Sequence, residues 1–112
     1  MRAKNPIIQI STTSDQKEEL EKIAKELLAK KLAACCQISG PITSHYYWEG
    51  KLETTSEWLC NIKTEKALFR EVESAIKELH HYDEPEIIAV DVVDASEGYQ
   101  TWVIESVHKS AN

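Results

Sequence analysis

Residues 42–63 read ITSHYYWEGKLETTSEWLCNIK, two strand-forming runs on either side of Glu49-Gly50. Ile42 to Trp48 is rich in β-branched and aromatic residues, and Gly50 supplies a backbone conformation that a tight turn requires and other residues avoid. The returning run, Lys51 to Lys63, places Trp58, Cys60 and Ile62 on one face by alternation. A hairpin this long overhangs a chain of 112 residues. Its projecting strands expose unpaired backbone edges, a liability that proteins often remove by pairing with another chain. The reading is therefore of a long β-hairpin in a self-associating protein.

Working outward, Pro6 to Thr12 reads as a first strand. Asp15, with Glu18 three residues on, forms a capping-box pattern for a helix carrying Leu20, Ile23, Ala24, Leu27 and Leu28 as one apolar stripe to about Lys31. Leu32 to Ile38 is a short apolar strand ended by Gly40-Pro41. Beyond the hairpin, Thr64 is placed to cap a second helix with a stripe of Leu68, Phe69, Val72, Ile76 and Leu79, ending near His80 and His81. Glu86 to Val93 reads as a fourth strand, and Tyr99, Trp102, Val103 and Val107 suit a short carboxy-terminal helix. The order βαββαβ, plus that helix, is the α+β ferredoxin-like split motif: an antiparallel sheet with two helices on one face and the other face in need of cover. We expect one domain spanning residues 1–112.

Composition narrows the function. Apolar residues make up 42% and charged residues 29%, a balance that folds. Thirteen Lys and Arg against nineteen Asp and Glu give a net charge of −6, which repels phosphate backbones and anionic lipid and is compatible with cations, although solubility is the commoner meaning. Neither nucleic acid nor membrane is expected as a partner: no run approaches the ~18 apolar residues of a span, and Met1 to Pro6 lead straight into a strand rather than a signal-peptide core. A cytoplasmic location follows as an expectation. Three cysteines do not form a disulfide framework. Cys35 and Cys36 are neighbours pointing to opposite faces of a strand, read as reduced thiols packed as small hydrophobes, with a soft-ligand role, alongside Cys60, as the alternative. Phosphate loops, nucleophile elbows and catalytic triads are missing, so no catalytic residue is assigned and no enzyme is expected.

His80-His81-Tyr82-Asp83-Glu84 concentrates two imidazoles, a phenol and two carboxylates, and imidazole suits copper and zinc. The alternative is that imidazoles at a helix carboxy terminus interact with its last carbonyls. Lys63 closes the run Leu59-Cys60-Asn61-Ile62 ahead of a helix amino terminus, ground suited to an anion. A salt bridge to Glu86 or Glu57 is the structural alternative.

Five segments together resemble one family. Leu32-Ala33-Ala34-Cys35-Cys36, Tyr47-Trp48-Glu49-Gly50-Lys51, Ile62-Lys63-Thr64, His80 to Ile87 and Tyr99 to Trp102 are similar to the motifs of the CutA divalent-cation-tolerance proteins, over nearly the whole chain. The resemblance implies a PII-like homotrimer whose hairpins extend into neighbouring subunits, with Tyr46, Tyr47, Trp48 and Trp58 as aromatic contacts. It also implies a role in divalent metal tolerance through weakly bound copper or zinc, without an organic cofactor. Copper binding in the family is assigned to a first-strand cysteine and to histidines ending the second helix. Here Ser11 stands at the cysteine position, and His80 and His81 carry over, His81 where the family usually has proline. The family's inter-subunit cleft maps onto Trp48, Lys63, Tyr82, Glu86 and Trp102, similar in location to the ligand clefts of PII signalling trimers. A signalling trimer binding a small anionic ligand there, or a structural anchoring module, are the rival expectations.

Overall fold

The computed structural model describes residues 6–107. Met1 to Asn5, read above as leading into the first strand, lie outside the described residues. The elements are β1 (Ile7–Ser14), α1 (Lys17–Ala29), β2 (Cys35–Trp48), β3 (Lys51–Glu65), a 3₁₀ turn (Lys66–Leu68), α2 (Phe69–Leu79), β4 (Ile87–Asp91) and α3 (Glu97–Ser106). They form the expected βαββαβα order around one antiparallel sheet, β2-β3-β1-β4.

Alternation along the strands builds the core. Ile8, Ile10 and Thr12 of β1 and Cys60 and Ile62 of β3 are buried. They share the core with Leu20, Ile23 and Leu27 of α1 and with Leu68, Val72 and Ile76 of the 3₁₀ turn and α2. Ile7, on the other face by alternation, is also buried, because α3 packs against β1 and β3 and carries the buried Val103. The rest of that outer face leaves Ile88 and Val90 half exposed.

The structure corrects three boundaries. β2 does not stop at Gly40-Pro41. It runs on to Trp48 through a register shift between Ser39 and Ile42, which takes the proline, with no N–H to donate, out of the ladder. Gly40 makes this bend with φ +143°, and a Cβ there would lie 2.9 Å from Trp58 Cε3. Thr64 caps no helix. It ends in β3, donating its hydroxyl to the Leu32 carbonyl at 2.6 Å, and the chain enters α2 through the 3₁₀ turn. Asp15 forms no capping box either: Gln16 takes the N-cap position without a side-chain cap, while its N–H donates to Ser14 Oγ at 3.1 Å.

The hairpin is as long as its sequence implies. Trp48 pairs with Lys51 across a two-residue turn in which Glu49 (φ +51°) and Gly50 (φ +82°) are both left-handed, the turn whose twist suits antiparallel strands. β1 ends with Ser14 opposite Trp58, so residues 42–57 pair only with each other and leave the sheet as a two-stranded ribbon. The radius of gyration, 15.0 Å, exceeds the ~13 Å of a compact domain this size, and the long axis reaches 49 Å. At the tip, Tyr47 and Leu52 face each other, 75% and 65% exposed.

Gly40→Ala meets both a disfavoured backbone region and the Trp58 ring. Its unfolding midpoint in urea should fall by the equivalent of ~1–3 kcal/mol. An unchanged midpoint would show that the bend tolerates a side chain.

Candidate functional site

The end of β1, the start of α1 and the end of α2 meet around the carboxylate of Glu19. Glu19 lies one helical turn before Ile23 on the apolar stripe of α1, so it is carried into the interior and is only 9% exposed. A buried carboxylate needs donors. Ser14 Oγ donates to Oε2 at 2.8 Å, the His81 N–H to Oε1 at 2.8 Å and the His81 ring Nδ1–H to Oε2 at 2.6 Å. Burial by itself raises the Glu19 pKa. The bonds from the His81 ring, Ser14 and the His81 backbone outweigh it and hold the carboxyl below its ordinary 4.5.

Its neighbours are tied in turn. His80 closes α2 through its N–H to the Ile76 carbonyl, and its buried ring turns away from the helix carbonyls and towards β1. His80 Nε2 lies 2.6 Å from the Thr13 carbonyl, which only accepts, and the Tyr82 N–H, which only donates, lies 3.1 Å from Nδ1. These two partners assign the neutral Nε2–H tautomer and use both ring nitrogens. Tyr82 places its hydroxyl between β3 and α1, donating to Glu57 Oε2 at 2.7 Å and accepting from the Asp15 N–H at 3.0 Å. Burial, followed by the bond to Glu57, pushes the Tyr82 pKa well up, so it stays a donor.

Glu19, His80 and His81 offer atoms within 4.8 Å of one another, the spacing of a three-ligand metal centre. Their hydrogen bonds argue against that set. A metal between them would need the His80 lone pair held by Tyr82 and the Glu19 oxygens held by three donors, leaving buried groups unpaired. His81 differs, because its ring is 42% exposed and its second nitrogen, Nε2, points outward, 3.2 Å from Asp15 Oδ1. Of the two sequence-predicted metal residues, His80 has both ring nitrogens hydrogen-bonded inside the protein, and His81 turns its Nε2 outward to Asp15.

Beside this cluster, between the ribbon and the 81–86 segment, lies a cleft of about 600 Å³. Trp48, Tyr82 and Glu86 line it, together with His81 and the carboxylates of Glu53, Glu57, Asp83 and Glu84. Lys63 and Trp102 do not line it. Lys63 sits within β3, not at a helix amino terminus, and donates to Gln37 rather than pairing with Glu86 or Glu57. Trp102 packs on Tyr99 of α3, ring centroids 5.5 Å apart. Ser11 donates to Asn61 at 2.7 Å and takes no part in the histidine cluster. Glu19 and Asp15 were missed by reading residue types near the histidines. The signal for Glu19 was present in its spacing to Ile23.

A ferredoxin-like antiparallel sheet with a projecting two-stranded ribbon defines a small α+β protein of the split βαβ class. The family model described as "CutA1 divalent ion tolerance protein" matches residues 8–106. The divalent-cation tolerance protein CutA of Pyrococcus horikoshii is 41% identical over 103 residues, 92% of this chain and 100% of that one. Its counterpart from Archaeoglobus fulgidus is 41% identical over 88% of this chain and 95% of its own. The crystal structure of CutA1 from Oryza sativa superposes with a TM-score of 0.91 at 36% identity, covering 96% of this chain and 98% of that one. The chain belongs to the CutA1 divalent ion tolerance family.

The depressed Glu19 pKa has a definite sign in stability. Below its ordinary value in the folded state, this carboxylate contributes stability that is fully present above about pH 4.5 and lost as pH falls through the folded value. Glu19→Gln should lower stability by ~1–3 kcal/mol at pH 7. It should also flatten the acid limb of a stability profile below pH 4.5. Parallel limbs for the two proteins would show that Glu19 gains nothing from its donors.

Proposed function

We propose that this protein acts in divalent-cation tolerance as a homotrimer, taking copper or zinc weakly through His81 Nε2 and Asp15 at the edge of an acidic cleft. The observation carrying this reading is the series Glu19, His81, Asp15. The buried Glu19 accepts the Nδ1–H of His81 and orients the ring, the arrangement that supports metal-bound histidines generally, and Nε2, which faces the Asp15 carboxylate, gives up its proton to the ion that takes its place. Asp15 Oδ1 is 3.2 Å from that nitrogen, close to the ~3.3 Å separating two ligands bound at ~2.0–2.1 Å around a tetrahedral ion. The carboxylates lining the cleft favour cations nearby.

The ribbon supports the assembly. Its residues 42–57 have no third strand to pair with, and Tyr47, Trp48 and Leu52 are exposed on it. The half-exposed Ile88 and Val90 add an apolar outer sheet face. The anionic-ligand reading keeps Lys63 as its support, but the cleft holding Trp48, Tyr82 and Glu86 carries five carboxylates that oppose an anion. A cytoplasmic location rests on three free thiols, and none of the described helices is long and apolar enough to cross a membrane. Relatives vary: the solved Archaeoglobus protein is described as periplasmic and the rice relative as chloroplastic.

Anaerobic calorimetric titration with Zn²⁺ and Cu²⁺ tests the site. His81→Ala should weaken binding at least ~10-fold and Asp15→Asn by a smaller factor, the range expected for ligand-shell changes. His80→Gln, checked for folding by circular dichroism, should keep saturable binding. Equal affinity in His81→Ala would sink the site. Sedimentation of the unmodified protein as a monomer at micromolar concentration would sink the assembly.

A further inference from the structure

The imidazole site leaves all three thiols unused, and two of them are neighbours. Cys36 of β2 pairs in register with Ile62, and Cys60 of β3 pairs with Ile38. Residues paired across antiparallel strands share a face, and so do residues two apart on one strand. Cys36 and Cys60 are therefore diagonal neighbours on the core face of the sheet. Cys60 is fully buried, and Cys36 packs against the same core while remaining partly accessible. Both are free thiols and lie close enough to interact.

A second observation falls in the same place. Thr12 of β1 lies directly opposite Cys60 on its other side in the register. It is fully buried, and its Oγ1 is the buried side-chain polar atom left without a hydrogen-bond partner among the described residues. Three adjacent strands thus bring a sulfur, a sulfur and an unsatisfied oxygen onto one core face, where apolar side chains would leave no polar atom unpaired.

We infer that Cys36 and Cys60 form a buried site for a soft monovalent ion, copper(I), held between two thiolates and separate from the imidazole site. Thiolates select copper(I), and no third protein ligand is required for an ion lying between two facing sulfurs. Binding breaks both S–H bonds, sends two protons to solvent and makes two metal–sulfur bonds, with no change in oxidation state. The pair then carries one net negative charge. The Lys63 cation attracts the charge on Cys36. Without the ion, the interaction with Cys60, followed by burial, pushes the Cys36 thiol above its ordinary range, while Cys36 holds Cys60 below its own. A disulfide is the poorer alternative: diagonal Cα atoms stand ~7–8 Å apart across antiparallel strands, beyond the usual reach of a bridge. Ion entry is through the accessible side of Cys36.

Anaerobic titration of the reduced, full-length protein with silver(I), and with copper(I) delivered against a chromogenic copper(I) chelator, tests this. One tight equivalent per chain is expected, with release of two protons read from calorimetry in buffers of different ionisation enthalpy. Cys36→Ala and Cys60→Ala should each abolish that equivalent, whereas Cys35→Ala and His81→Ala should retain it. X-ray absorption at the copper edge, which does not depend on variants folding, should show two sulfur neighbours and no nitrogen. A tight equivalent that survives Cys36→Ala, nitrogen neighbours in the copper spectrum, or a Cys36–Cys60 disulfide formed in place of metal uptake would overturn the inference.

Discussion

The desolvated carboxylate of Glu19 is the constraint from which this corner of the molecule follows. An ionised group inside the protein is tolerated only when donors replace the water it has lost. Here the donors come from the last residue of β1 and from the segment after α2, so one side chain holds three parts of the chain together. His80 and Tyr82 extend the same logic: every bond they make in the cluster crosses to another element or fixes the turn between them. The site is rigid because it is first a solution to a burial problem. Its chemistry is confined to what that solution leaves pointing outward, the Nε2 of His81.

Much of the fold was legible because its signals are periodic. The stripes of α1 and α2, the alternation of Trp58, Cys60 and Ile62 and the turn at Glu49-Gly50 each carry a period or a backbone requirement that survives folding unchanged. What misled was local punctuation. Gly40-Pro41 reads as a stop, yet a register shift absorbs both residues within a continuing strand. Asp15 and Thr64 read as helix caps, but tertiary partners claimed them: His81 for the Asp15 carboxylate and the Leu32 carbonyl for the Thr64 hydroxyl. Capping residues compete for partners, and a single sequence does not show the competitors.

The candidate site was half legible for the same reason. Its histidines were visible as a cluster, but which nitrogen is free depends on Thr13, Glu19 and Asp15, some 62 to 67 residues away in sequence. The structure separates two imidazoles that look equivalent on paper into a tie and a contact. It also divides the soft and harder ligands of the chain between two settings: thiols within the apolar core beneath the sheet, and imidazole with carboxylates beside an open acidic cleft. Ions of different character would be sorted by environment as well as by donor atom.

Ser14 occupies an unusual position in this arrangement. It is the last residue of β1 paired to β3, opposite Trp58 where the free ribbon begins, and its hydroxyl is also a donor to Glu19. Lys17, the first residue of α1, lies over the Trp58 ring at 5.0 Å, bracing the same point from the helix side. The root of the ribbon is thus shared with the cluster around Glu19. A displacement of the ribbon at its root would therefore meet Trp58 and Ser14 first, and through Ser14 the carboxylate that orients His81.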